Sequence, residues 1–238
     1  MRLEAPEEVS ALAAQRLLAR IIELQRTGET VHLCLTGGNA ANNMYERLAE
    51  LAVGSDLNSE LLDLWWGDER FVPATDPDRN SMQAITRLAR TIPIKAGDTH
   101  MMPAKDGRKD SHECAADYES ELGDTRFDIL LLGVGEDGHV GSIFPNHPSF
   151  EPTSRNVIGV TDAPKAPAER ISLTIQAMNR STEVWFLATG ESKADAVARA
   201  VDADATIPAG HVHGSERTVW FVDEAAAGGL PTQYRCSF

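Results

Sequence analysis

"FDILLLGVGEDGHVGSIFP", residues 127–145, decides the fold. Its first half is apolar at consecutive positions, the pattern of a strand buried on both faces in the middle of a parallel sheet. It runs directly into a glycine turn, "GVGEDG" at 133–138. Those glycines fit G-x-G-x-x-G, the fingerprint of a dinucleotide-binding loop. Such a loop sets a pyrophosphate against the N-terminus of a long helix. Here Glu136 and Asp137 would repel that anion, and Pro145 limits any helix that follows. The context disfavours a dinucleotide, and the turn reads instead as a mount that holds His139 in the open.

Working outward, the same strand–glycine–helix pattern recurs. "TVHLCLTGG" (30–38) reads as a strand ending in a turn, followed by a helix over 39–51 with Asn39 as its N-cap. "LLDLWWGDE" (61–69) reads as a strand, with helices expected over 78–90 and 110–122. "NVIGVTDAP" (156–164), "ISLTI" (171–175), "TEVWFLATG" (182–190) and "RTVWFVD" (217–223) read as further strands, with a helix over 191–201. At the N-terminus, Val9, Ala13, Leu17, Ile21 and Leu24 form a stripe at helical spacing, as a surface helix packed on the domain would show. Alternation of this kind predicts an open α/β/α, mostly parallel sheet with helices on both faces. One domain over residues 1–238 is expected, with 162–170 as its most mobile loop.

The chain has 238 residues and a formal net charge of −14. That charge argues against a nucleic-acid or anionic-membrane surface, each of which needs a basic face. It does not exclude a small anion, which a few local cations and backbone N–H groups can hold. Cys34, Cys114 and Cys236 are far apart and odd in number, which suits a reducing cytoplasm and offers neither a disulfide framework nor zinc spacing. No apolar run approaches the roughly 20 residues of a membrane helix. "HVH" (211–213) lacks a third ligand at metal-like spacing, so no metal site and no cofactor are expected.

In a parallel sheet, ligands bind beyond the carboxyl ends of the strands. Three turns there carry chemistry. His139 is a candidate general base, because an imidazole titrates near neutrality, and Asp137 could orient its ring. A histidine that only caps the turn would read the same way. In "WWGDER" (65–70), Arg70 could fork onto an oxygen-rich substrate while Asp68 accepts hydroxyls or orients a partner. A solvated charge run remains the alternative there, and Trp65 and Trp66 read as core residues facing opposite ways. "TGGN" (36–39) leaves free N–H groups before a helix, a natural anion site at Gly37, Gly38 and Asn39, though an ordinary tight turn also favours glycine. Lys193, in the first turn of a helix, opposes the dipole unless an anion sits nearby. Arg170 opens the strand at "RISLTI".

Taken in order, "LTGGN" (35–39), "WWGDERFVP" (65–73) with "RNS" (79–81), residues 127–145, "RISLT" (170–174) and "ATGESKADAV" (188–197) resemble the 6-phosphogluconolactonase family. The likeness runs from about residue 30 to 227, where "VWFVDEAAA" (219–227) closes it. It implies a Rossmann-like α/β/α fold and hydrolysis of 6-phospho-D-glucono-1,5-lactone to 6-phosphogluconate in the oxidative pentose phosphate pathway. By family position, His139 is the general base and Asp68 and Arg70 belong to the substrate site. Gly37, Gly38, Asn39 and Gly138 line that site, and Arg170 and Lys193 bind the phosphate.

This chain departs from the family pattern at Asn39 and Ala40, where hydroxyl residues are usual, and at Gly141 and Ile143. The related glucosamine-6-phosphate deaminases carry an acid five positions after the histidine and an aromatic residue after the Asp-Glu pair. Phe144 and Arg70 stand at those positions here, which favours the lactonase. A non-catalytic sugar-phosphate sensor would keep the pocket but usually adds a DNA-binding segment, for which this chain has neither room nor a basic patch. The implied partner is a small sugar phosphate, bound by a cytoplasmic monomer or weak homo-oligomer.

Overall fold

The computed structural model describes residues 1–231 and 234; Cys236 lies outside them. Ten strands are present: β1 (Arg2–Leu3), β2 (Val31–Leu35), β3 (Leu62–Trp66), β4 (Asp68–Arg70), β5 (Thr99–His100), β6 (Ile129–Gly133), β7 (Val157–Val160), β8 (Arg170–Leu173), β9 (Glu183–Ala188) and β10 (Arg217–Asp223). The helices are α1 (Pro6–Gln25), α2 (Asn39–Ala52), α3 (Asn80–Leu88), α4 (Ser111–Leu122), the single turn α5 (Ile175–Met178) and α6 (Ala194–Val201). Seven strands form a wholly parallel sheet in the order β1-β10-β9-β6-β2-β3-β5. The fold is α/β with helices on both faces of that sheet.

Period-2 alternation explains why the central strands are apolar at every position. Ile129 and Leu131 of β6 join Leu33, Leu35, Leu64, Trp66, Trp185 and Leu187 beneath α1, α2 and α3. Leu130 and Leu132 turn to the opposite face with Cys34, Trp65, Val184 and Phe186, where α4 and α6 cover them. The two tryptophans are core residues on opposite faces, as their adjacency in a strand requires. The N-terminal stripe is also as expected: Val9, Ala13, Leu17 and Ile21 are buried along α1. No described helix is long and apolar enough to cross a membrane.

Two strand expectations need correction. The stretch 61–69 is not one strand: the chain breaks at Gly67 and leaves the parallel sheet. The Gly67 N–H donates to Leu35 O (3.0 Å) on the β2 side, while its carbonyl accepts from Leu173 N (2.8 Å) on the other. Gly67 is thus the point where one sheet hands the chain to another. The second sheet is antiparallel, in the order β4-β8-β7. The segments at 156–164 and 171–175 are strands of this small sheet rather than of the large one. Its Val157, Ile171 and Leu173 are buried in the same apolar cluster as Leu130 and Phe186, so the two sheets share a core.

The strand order reverses between β2 and β6: the chain proceeds from β2 outward to β3 and β5, and from β6 outward through β9 to β10. A crevice opens at such a switch point, beyond the carboxyl ends of the two strands. Buried tyrosines from opposite helical layers pin the neighbouring strand ends. Tyr45 Oη of α2 accepts from Thr36 N (3.0 Å) and donates to Thr36 O (2.8 Å). Tyr118 Oη of α4 does the same to Trp66, at 3.1 Å in each direction.

Candidate active site

Beyond those ends lies a cavity of about 430 Å³. Gly37, Gly38, Asn39, Asp68, Arg70, His139, Arg170 and Lys193, all singled out in the sequence, line it. They come from the ends of β2, β3, β6 and β9 and from the small sheet. Asn80, Phe144 and Lys165 line it too.

The turn after β6 is built around His139. The Gly135 N–H donates to His139 O (2.9 Å) and the Gly138 N–H to Gly135 O (3.0 Å), folding the loop back on itself. A Cβ on Gly135 would stand 1.9 Å from His139 Nδ1, so glycine is required there for the imidazole to fit. No α-helix follows before β7, which removes the helix N-terminus that a dinucleotide site needs. Gly138, expected among the substrate-binding residues, does not line the cavity. It faces the other way, at φ +84°, and an added Cβ would meet Ile207 at 2.7 Å. Its carbonyl accepts from Ala209 N (3.0 Å), so its role is to back the loop.

Asp137 lies just behind the ring, outside the lining, with Oδ1 at 2.5 Å from His139 Nδ1. An ionised carboxylate only accepts, so Nδ1 carries the proton and Nε2 presents its lone pair. Burial raises the Asp137 carboxyl, but the hydrogen bond and charge of His139 outweigh it and hold the group well below the usual carboxylate range. Asp137 therefore stays ionised through the physiological range. Phe144 packs against the imidazole, ring centres 4.7 Å apart.

Asp68 is buried, and both of its oxygens are engaged inside the protein. Oδ2 accepts from Ser142 Oγ (2.8 Å) and Oδ1 from Asn80 Nδ2 (3.3 Å). Ser142 N in turn donates to Ser172 Oγ (3.1 Å). Asp68 thus ties the small sheet, the His139 loop and the start of α3 together. Its neighbour Glu69 points away from the cavity and accepts from the N–H groups of Asn80 (2.6 Å) and Ser81 (2.9 Å), closing the open end of α3. Arg70 faces the cavity, with Nη1 donating to Asp78 O (2.6 Å).

The first turn of α2 forms another wall. Asn39 is not its N-cap. Gly38 holds that position, and no side chain caps the helix. The first bond into the helix runs from Asn42 N to Gly38 O, so the N–H groups of Asn39, Ala40 and Ala41 have no acceptor among the described residues. Uncapped N–H groups at a helix start attract anions. Lys193 sits across from this wall, after β9, in a 3-10 turn preceding α6 rather than in the helix proper.

Among the lining residues that reasoning from sequence missed are Asn80, Lys165 and Phe144. Asn80 stands in the quoted "RNS", and Lys165 in the loop read only as mobile; neither carries a spacing that signals a site. Phe144 was read only as a mark against the deaminase. The two "HVH" histidines are engaged elsewhere, His211 Nε2 with Ala205 O (2.9 Å) and His213 Nδ1 with Gly214 O (3.3 Å). Among the described residues, no three His, Cys, Asp or Glu side chains come together to hold a metal ion.

The sequence model for glucosamine-6-phosphate isomerases/6-phosphogluconolactonase matches residues 4–220. A 6-phosphogluconolactonase of Streptomyces coelicolor is 42% identical, with 94% of this chain and 92% of that protein covered. Among solved structures, a 6-phosphogluconolactonase from Thermotoga maritima is similar at a TM-score of 0.83 and 26% identity, covering 94% of this chain and 98% of the other. A monomeric glucosamine-6-phosphate deaminase reaches a TM-score of 0.80 at 25% identity over 96% and 98% of the two chains. The chain belongs to the glucosamine-6-phosphate isomerase/6-phosphogluconolactonase family.

Proposed function

We propose that this site hydrolyses 6-phospho-D-glucono-1,5-lactone to 6-phospho-D-gluconate. The observation that carries the reading is the histidine pair: Asp137 holds Nδ1–H of His139, which frees Nε2 as a base, in a cavity also lined by Arg70, Arg170, Lys193 and an uncapped helix start. Nε2 takes a proton from water as that water attacks C1 of the lactone. Backbone N–H groups of the glycine turns, or Arg70, offset the charge on the carbonyl oxygen. When the intermediate collapses, the C1–O5 bond breaks and the imidazolium returns its proton to the departing ring oxygen. A general base contributes about 10²–10⁴ in rate, which suffices for an ester as reactive as a δ-lactone. Arg70, Arg170, Lys193 and the α2 turn hold the phosphate and hydroxyls, so that binding energy orients the carbonyl.

Deamination of glucosamine 6-phosphate is the second reading, favoured by the likeness in fold to the deaminase. Against it stands Phe144, which places an apolar ring beside the imidazole where the deaminases carry an acid. The test is acid release from fresh 6-phosphogluconolactone beside ammonia release from glucosamine 6-phosphate. Acid without ammonia supports the lactonase, and ammonia moves the assignment to the deaminase. The described cysteines, Cys34 and Cys114, are buried and unpaired, which suits a reducing cytoplasm.

A further inference from the structure

Arg170 is 5% exposed, with Asp68, Glu69 and Asp78 near enough to act on its charge, yet it makes no ion pair among the described residues. Nε donates to Pro167 O (2.6 Å), and Nη2 donates to Lys165 O (3.0 Å) and Ala166 O (3.1 Å). Three consecutive carbonyls of one exposed loop are thus gripped by a single guanidinium. The base of that loop is closed by Ala163 N to Ala168 O (3.0 Å). Its one cation, Lys165, is exposed and lines the cavity. Neither Lys165 nor Lys193 makes an ion pair or a side-chain hydrogen bond among the described residues. The two are close enough for their charges to interact; burial first, and Lys165 after it, push the Lys193 ammonium below its usual range against the opposite pull of Glu136 and Asp137. Two ammonium groups turned on one cavity repel each other, and an anion between them, added to the nearby Glu136 and Asp137 carboxylates, would relieve that cost.

We propose that Lys165 binds the phosphate of the substrate directly, and that Arg170, besides lining the cavity itself, holds the Lys165 loop against it. This rests on the sugar-phosphate reading of the site and changes the division of labour within it. Two of the three nitrogens of Arg170 are committed to loop carbonyls, whereas all three protons of Lys165 are free to meet an anion. Lys193 approaches from the end of β9 and Lys165 from the small sheet, so a phosphate held by both would bridge the two sheets.

The experiment compares Lys165→Met, Lys165→Arg, Arg170→Met and the double variant Lys165→Met/Arg170→Met. Calorimetric titration with inorganic phosphate is run beside lactone kinetics. Lys165 is exposed, so its substitution leaves the core intact and decides the direct contact even if Arg170→Met folds poorly. Loss of one charge-assisted contact should weaken phosphate binding and raise KM by about 10- to 100-fold, with kcat changed far less. Lys165→Arg should restore most of the affinity. The double variant should lose less affinity than the two single losses combined, because part of the Arg170 effect passes through Lys165. Unchanged phosphate affinity in Lys165→Met would overturn the contact, and additive losses in the double variant would overturn the positioning role. A chain that binds phosphate through Lys165 but leaves the lactone intact would retire the lactonase reading and retain this one.

Discussion

The large sheet and the small sheet meet at one cavity and furnish it in different ways. Strands β2, β3 and β6 bring their groups on buried backbone fixed at close range: Tyr45 grips Thr36, Tyr118 grips Trp66, and the 133–139 turn closes on itself around His139. The small sheet contributes Asp68 and Arg70 at one edge and, through the loop before β8, an exposed lysine on a strap held by Arg170. Proton transfer tolerates little displacement of the base, since a misplacement of about 1 Å can cost roughly 10²-fold. Holding a phosphate dianion tolerates more, because the attraction falls slowly with distance. On the proposed mechanism, the region fixed at close range carries the chemistry and the loop before β8 the anchoring.

The comparison breaks most sharply at His139. His139→Ala should lower kcat by about 10²–10⁴ while inorganic phosphate still binds with near-native affinity. A variant that hydrolysed the lactone at the wild-type rate would remove the base from the mechanism. Gly135→Ala asks whether the turn exists for the ring. Its added Cβ would lie 1.9 Å from His139 Nδ1 and 2.5 Å from Asp137 Oδ1, so the pair must shift. Gly135 has no positive φ, so alanine is not excluded by the backbone itself. The expected loss in kcat is about 10²-fold with little change in thermal stability. Full activity would show that the imidazole works from another position.

Asp68 tests the seam between the regions. Asp68→Ala leaves the Ser142 hydroxyl without its acceptor in a buried setting, a cost of about 1–3 kcal/mol, while the Asn80 amide keeps the backbone carbonyl of residue 68 (3.0 Å). The expected result is a lower denaturant midpoint at unchanged slope and a loss of activity smaller than that of Gly135→Ala. Abolished activity at unchanged stability would place Asp68 in the chemistry and dissolve the division drawn here.

Much of the rigid region was legible in the sequence and little of the looser one. A strand buried on both faces announces itself by composition, as 127–134 does, and glycine turns mark its end. The apolar runs around β7 and β8 look the same whether they join a parallel sheet or an antiparallel one, because periodicity does not name the partner strand. The break at Gly67 depends on two carbonyl and amide partners, Leu35 and Leu173, that are remote in the chain. Lys165 was invisible for a related reason. A lysine among prolines and alanines has no informative spacing, and only the clamp from Arg170 places it on the cavity. Asp68 could be read as a site residue, but its engagement with Ser142, 74 positions away, could not.

The smallest effect is expected behind the His139 loop, where a third region props it. Ile207 packs on Gly138, and Ala209 N donates to Gly138 O (3.0 Å). That prop is tied down by Asp204, whose carboxylate accepts from the Thr206 hydroxyl (2.7 Å), Arg199 Nε (2.8 Å) and Thr206 N (2.8 Å). Those bonds, the Thr206 hydroxyl first and Arg199 next, hold the carboxyl down to about 2 from its ordinary 3.8. A depressed acid contributes stability above its unfolded value and loses it as pH falls through the folded one. Wild type should therefore be the more stable of wild type and Asp204→Asn near pH 5, and the gap should close as pH falls from about 4 toward 2. The group is only half-buried and solvent screens it, so the gap is small, and paired denaturant titrations at each pH are needed to read it. A gap that persisted unchanged at pH 2 would assign the prop to packing at Ile207 alone. A gap that also appeared in kcat at pH 7 would show that the precision of the His139 turn depends on the surface behind it.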